Sequence, residues 1–178
     1  MESSAAVILE KAVPEEFSLF TIKLQEAFSL AVREKLGISE PVPDESDVKA
    51  SLYAADAAVY HLVHKGQRVG GVVLKINQDT HHNALDLFFI SPEYHSHGLG
   101  LAAWRAIELK YPETVVWETV TPYFEERNIH FYVNKCGFHI VEFFNRHHPD
   151  NRMLQQKDAE NENIPSMDAY FRFQKIMR

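Results

Sequence analysis

Cysteine is all but missing from this chain: Cys136 stands alone in 178 residues, so no internal disulfide can form. That excludes a disulfide-stapled secreted scaffold and makes a reducing compartment the expected setting. Excess positive charge is missing too. Lys and Arg number 18 against 25 Asp and Glu, a formal net charge of -7, which argues against a nucleic-acid partner met through a basic face. No stretch approaches the roughly 18 apolar residues of a membrane span. Residues 1–10 lack the basic start and long apolar run of a signal peptide. A soluble, cytoplasmic protein without membrane or nucleic-acid partners is expected. Glycine is scarce at 7 residues, which draws the eye to the pair Gly98 and Gly100.

What is present suffices for one full core. At 178 residues, residues 1–178 are expected to form a single domain that folds without metal or disulfide. Ala5 to Leu9 reads as a first strand. Val13-Pro14-Glu15-Glu16 opens a helix, and Phe17, Phe20, Leu24, Phe28 and Ala31 recur at steps of three and four until Gly37 stops it. Asp44 caps a second helix to about Ala54. From Ala57 the period is two. Residues 57–63, a turn at Lys65 to Arg68, and Val69 to Ile76 read as a hairpin, and Ala84 to Ile90 as a third buried run ended by Ser91-Pro92. A helix over Gly98 to Lys110, a strand over Thr114 to Val120, a helix over Glu125 to Lys135, and strands over Phe138 to Phe144 and Asp168 to Ile176 complete the order. Asn145 to Ser166 reads as a long polar loop. The order is β-α-α-β-β-β-α-β-α-β-β, a mixed α/β layer fold.

The informative stretch runs from Leu85 to Leu101, where a buried strand passes through a proline turn into His95-Ser96-His97-Gly98-Leu99-Gly100 and then a helix. Gly98 and Gly100 let backbone approach a ligand with no Cβ in the way. The unpaired N–H groups of a first helical turn, with the positive end of the helix dipole, suit a pyrophosphate. A plain strand-turn-helix with small residues for close packing is the competing reading. It is neither a Walker loop, since no Gly-Lys-Ser/Thr follows, nor a full dinucleotide fingerprint, since Ala103 holds the third glycine position.

This run resembles motif A of the GNAT acetyltransferases, Gln/Arg-x-x-Gly-x-Gly/Ala between a strand and a helix, with His95 standing where the family usually has Gln or Arg. Phe131-Tyr132-Val133-Asn134-Lys135-Cys136-Gly137-Phe138 is similar to the family's second signature, a helix ending in a Gly-Phe turn. The resemblance covers nearly the whole chain. It implies the GNAT fold, a mixed central sheet of about six to seven strands flanked by about four helices. It also implies acetyl-CoA as acyl donor and transfer of acetyl to a primary amine by direct attack in a ternary complex. The acceptor implied is a small-molecule or protein amine. The alternative is a GNAT-fold module that binds acyl-CoA, or senses it, without turnover.

Residue by residue, the resemblance places the pyrophosphate on the backbone of His95, Ser96, His97, Gly98, Leu99, Gly100 and Leu101, and the pantetheine arm along Phe89 and Ile90. It has the strand at Thr114 to Val120 splay away to leave a slot for the thioester. The two N-terminal helices wall the acceptor site, with Phe28 as a lining residue. Asn128 joins the cofactor-binding set from the second-motif helix, and Tyr132 on that helix is the candidate acid for the departing thiolate. Spacing complicates Tyr132: counted from upstream it holds the family's tyrosine position, but counted back from Gly137-Phe138 that position is Val133. One extra residue, taken up in a π-bulge or in a loose last turn, accounts for the difference. For the base, the position some relatives fill with glutamate is Ala84. Asp86, two residues on, shares its face if the strand alternates. Glu118, an ionisable group inside an apolar strand, is the favoured candidate, and a water chain is the alternative to either carboxylate.

The 10 histidines do not assemble a metal motif, and no metal is expected. Cys136 reads as buried and inert. Phe143-Phe144 with Tyr170-Phe171 and Phe173 reads as paired core strands, and secondarily as the face of a homodimer.

Overall fold

The computed structural model describes residues 6–37, 43–151 and 169–177. In chain order the elements are β1 (Ile8–Lys11), α1 (Phe17–Leu36), α2 (Glu45–Leu52), β2 (Ala57–His64), β3 (Gln67–Lys75), β4 (His82–Ile90), α3 (Leu99–Lys110), β5 (Val116–Pro122), α4 (Glu126–His130), β6 (His139–Phe144) and β7 (Tyr170–Ile176). Seven strands hydrogen-bond in the order β1-β2-β3-β4-β5-β7-β6. This is the mixed α/β fold, with four α-helices among the described residues, that the sequence predicts. The loop expected over 145–166 is described only as far as Asn151, where Asn145 and His148 form an isolated bridge; the remainder lies outside the described residues.

The chain divides into two compact units, Met1–Trp117 with Met177–Arg178, and Glu118–Ile176, so the crossing falls inside β5. In the first unit, α1 starts after a 3-10 turn at Pro14–Glu16, where the Glu16 carboxylate accepts the Val13 N–H at 3.2 Å. Its buried positions Phe17, Phe20 and Leu24 follow the helical period, and Gly37 ends it at φ 68, donating its N–H to the Arg33 carbonyl. These side chains pack with Val48 and Leu52 of α2 on Val59, Val73 and Phe89 of the sheet. Two adjacent glycines permit that contact. A Cβ on Gly71 would meet the Phe20 and Phe89 rings, and one on Gly70 would meet the Phe89 carbonyl oxygen. Elsewhere in this unit Trp104 of α3 meets Trp117 edge to face, with ring centroids 5.4 Å apart, and both side chains are fully buried.

In the second unit β6 and β7 pair antiparallel, Glu142 opposite Arg172 and Phe143 opposite Phe171. Phe138 and Phe173 are the largest fully buried side chains among its described residues, and Tyr132 packs on both, at 5.6 and 5.7 Å between ring centroids.

Candidate active site

The glycine loop is built on β4. After Ile90, Ser91 donates its N–H to the Val69 carbonyl at 2.8 Å, and Pro92–Tyr94 form a 3-10 turn whose Tyr94 hydroxyl reaches Gln67 Oε1 at 3.0 Å. His95 then turns back: a ring nitrogen lies 2.7 Å from the Ile90 carbonyl, which can only accept, so Nε2 carries the proton. The unusual histidine of the motif thus ties the loop to the end of the strand. Ser96 at φ 67 and Gly98 at φ 72 are both left-handed, a conformation cheap for glycine and costly for serine. Ser96, His97 and Gly98 are exposed, and a Cβ at Gly98 would meet nothing within 4 Å.

Gly98 is also the N-cap of α3, with no side-chain cap; the first intrahelical bond runs from Ala102 N–H to the Gly98 carbonyl. The amides of Leu99, Gly100 and Leu101 precede that bond and lie at the positive end of a 12-residue helix. Leu99 is buried, which seats the helix start, while Gly100 and Leu101 are half-exposed. A helix start of this kind can hold an anion.

Within β4 the main chain sorts the two strand residues assigned to the pantetheine arm. The Ser91–Val69 bond fixes the phase of the antiparallel ladder, so Phe89 exchanges its bonds with Gly71 of β3. The main-chain groups of Ile90 and Phe88 point to the strand's other edge. Phe89 also buries its ring against Phe20, with centroids 5.4 Å apart. The main chain of Phe89 is therefore committed to β3, and the Ile90 carbonyl to the His95 ring.

A bulge interrupts this strand. Val73 faces Leu87 and Leu74 faces Leu85, which leaves Asp86 as the extra residue. Alternation breaks there, so Asp86 does not inherit the face of Ala84. Asp86 Oδ2 is sealed from solvent without a hydrogen-bond partner among the described residues.

In the second unit the extra residue is taken up as a π-bulge rather than a loose last turn: α4 continues into a π-helix over Phe131–Cys136, and the N–H groups of Gly137 and Phe138 both close on the Tyr132 carbonyl. Tyr132 is 6% exposed and its hydroxyl bonds the Thr119 side chain. Burial pushes that hydroxyl above the usual tyrosine range, with the Cys136 and Glu125 charges adding to the effect and the Thr119 bond opposing it. Asn128, one helical turn earlier, donates to Thr121 Oγ1 at 3.4 Å. Tyr132 and Asn128 therefore share one face of β5, that of Thr119 and Thr121.

Glu118 lies on the other face by strand alternation. There it pairs with Arg172 at 3.4 Å, and Arg172 in turn bonds Glu142 at 3.0 Å. The His148 ring bonds the second Glu142 oxygen at 2.7 Å and holds that carboxyl below the usual glutamate range, with Arg172 lowering it further. The two candidate catalytic side chains are thus not brought together. Glu142, Phe144, His148, Asp150 and Arg172 line a cavity of about 350 Å³ in this unit, and the Tyr170 hydroxyl donates to Asp150 at 2.8 Å. Sequence reading missed this network. Its signal was Glu142 inside the apolar run of β6 and Arg172 among the aromatics that open β7, opposed charges across a strand pair.

Glu10, Glu16 and His61 bring three potential metal-ligand atoms within 4.8 Å of one another. Arg68 pairs with both carboxylates and is the cation they hold. No helix among the described residues is long and apolar enough to cross a membrane.

A strand that runs through a proline turn into an uncapped, glycine-led helix, within this strand and helix order, defines a GNAT-type transferase architecture. The profile of the Acetyltransferase (GNAT) family matches residues 24–138, and the chain belongs to that family. It is 55% identical over 174 residues to the uncharacterized protein YrkN of Bacillus subtilis (strain 168), covering 97% of this chain and 94% of that one. Its fold is similar to a Bacillus subtilis acetyltransferase in complex with CoA, at a TM-score of 0.64 and 16% identity over 98% of this chain and 100% of that one. It is likewise similar to the spermidine N-acetyltransferase of Vibrio cholerae in complex with CoA and spermine, at 0.65 and 12% identity over 96% and 95% of the two chains.

Proposed function

We propose that this protein transfers the acetyl group of acetyl-CoA to the nitrogen of a primary amine. The observation that carries the reading is the exposed start of α3, led by a left-handed Gly98, with no side-chain cap and no Cβ to obstruct it. The backbone of residues 95–101 would hold the pyrophosphate through N–H groups, and the edge of β4 at Ile90 would meet the pantetheine arm. The acidic balance of the chain favours a cationic acceptor, and a relative of the same fold bears the name spermidine N-acetyltransferase. Tyr132, buried and therefore neutral at physiological pH, would give its proton to the departing thiolate. The thiol is a fair leaving group, so orientation supplies much of the rate.

Calorimetry with acetyl-CoA tests the cradle through two nearly isosteric variants. Gly98→Asn keeps a residue that tolerates the left-handed conformation, while Gly98→Asp adds a negative charge in the same shape. Gly98→Asp is expected to weaken binding by about tenfold or more relative to Gly98→Asn, the equivalent of about 1.4 kcal/mol of charge repulsion. Equal affinities would remove the anion from this helix start. Release of CoA thiol with spermidine, glycinamide or hydroxylamine then separates an enzyme from a silent binder.

A further inference from the structure

We propose that the cavity beside the end of β6 and the start of β7 binds a small organic ammonium ion, of the size of an aliphatic diamine. The site lies wholly within the second unit and needs neither CoA nor turnover. Its volume of about 350 Å³ falls within the range of small-molecule pockets, roughly 300–1,000 Å³.

Charge decides the class of ligand. Glu142 and Asp150 line the cavity, and Glu118 shares Arg172 with Glu142. In this network three carboxylates stand against one guanidinium, and they outnumber the cations even when His148 is protonated. Arg172 is engaged at all three nitrogens: Nε and Nη2 each reach Glu142 Oε1 at 3.0 Å, and Nη1 reaches Glu118 at 3.4 Å. An anion would have to break these pairs, whereas a cation leaves them in place. Asp150 is buried, and the Tyr170 hydroxyl that donates to it at 2.8 Å is neutral and does not cancel its charge. A cation beside that carboxylate offsets the cost of burying it.

The acceptor geometry is built as well. Glu142 Oε1 takes both Arg172 bonds, while Oε2 takes the His148 ring at 2.7 Å and no other donor among the described residues. A carboxylate oxygen accepts two bonds, so Oε2 keeps one direction for an ammonium N–H. The apolar part of the ligand meets Phe144, which is buried and lies parallel to the His148 ring with centroids 5.5 Å apart. A hydrogen-bonded turn holds that ring in position. Asn145 and His148 exchange main-chain bonds at 3.1 Å, and the Asn145 side chain accepts the N–H groups of His147 and His148. A wall set before binding costs little to order.

The test titrates the full chain, without acetyl-CoA, with putrescine and with succinate, a dianion of matching length. Calorimetry gives Kd, and nitrogen-15 NMR follows the His148 ring signals, assigned by their loss in His148→Gln. Putrescine is expected to move those signals saturably, and succinate to leave them in place. Glu142→Gln is expected to weaken putrescine binding about tenfold, through the loss of one charged hydrogen bond. Because Glu142 also holds Arg172, thermal unfolding is read on that variant. Asn151, exposed on the cavity wall, supplies a pair of substitutions outside the ion-pair network. Asn151→Asp is expected to tighten binding about two- to fivefold, and Asn151→Lys to weaken it by as much. The site is overturned by binding of succinate in place of putrescine, or by an affinity indifferent to all three substitutions. Absence of saturable movement at His148 overturns it too, even where calorimetry records heat, because the ligand then sits elsewhere.

Discussion

Tyr132 shows how one side chain acquires its properties from burial. In the fold the ring packs on Phe138 and Phe173, the buried hydroxyl is bonded to Thr119, and its ionised form is disfavoured. The folded state therefore prefers the neutral phenol. That contribution to stability is complete below the unfolded tyrosine value of about 10 and is lost as pH rises beyond it. Activity is expected to show no alkaline limb from Tyr132 below about pH 10. Tyr132→Phe removes one buried hydrogen bond, about 1 kcal/mol of stability. It is expected to lower kcat by about 10²-fold, with acetyl-CoA affinity unchanged. Steady-state rates across pH, read beside calorimetry, check both halves; an unchanged kcat would leave Tyr132 a core residue.

At the scale of elements, the contact of α1 with the sheet depends on the absence of two methyl groups. A Cβ at Gly71 would press on aromatic side chains, which can shift, whereas one at Gly70 would press on the Phe89 carbonyl, which the β3–β4 ladder holds in place. Gly71→Ala is expected to cost about 1–3 kcal/mol through overpacking, and Gly70→Ala more than that. Denaturant unfolding of the two variants gives the order, and the reverse order would mean that the ladder yields more readily than the ring cluster. Another element-scale feature is the π-helix at Phe131–Cys136. It takes up the one extra residue of the second motif, so Tyr132 keeps its place opposite Thr119 while Gly137 still closes the turn at φ 86. That irregularity was legible in the spacing, because a helix counts residues and a surplus one must show as a wider turn. The bulge at Asp86 was not legible, because it is defined by the register of a second strand.

For the whole molecule, a donor that binds only the native state must raise the unfolding temperature. Acetyl-CoA at about 100 times its Kd stabilises by about 2.7 kcal/mol. At roughly 2–4 °C per kcal/mol for a chain of this size, Tm is expected to rise by about 5–11 °C. Differential scanning fluorimetry with and without acetyl-CoA reads the shift, with CoA lacking its acetyl group expected to give most of it. No shift at millimolar ligand would count against the donor site independently of any turnover assay.

The sequence by itself determined the element order, the helix ends at Gly37 and Gly98, the glycine-led start of α3 and the surplus residue before Gly137. Each is a local matter of side-chain period, backbone conformation at one residue, or residue count, and a chain carries such information within a few positions. Only the tertiary structure decided that β7 lies between β5 and β6, that Phe89 gives its main chain to Gly71, and that Glu118 and Tyr132 take opposite faces of β5. It also decided that Arg172 pairs with Glu118 while Asp86 keeps a sealed oxygen that has no partner among the described residues. These depend on which segments meet and in what register, and a shift of one residue in that pairing turns every side chain to the other face.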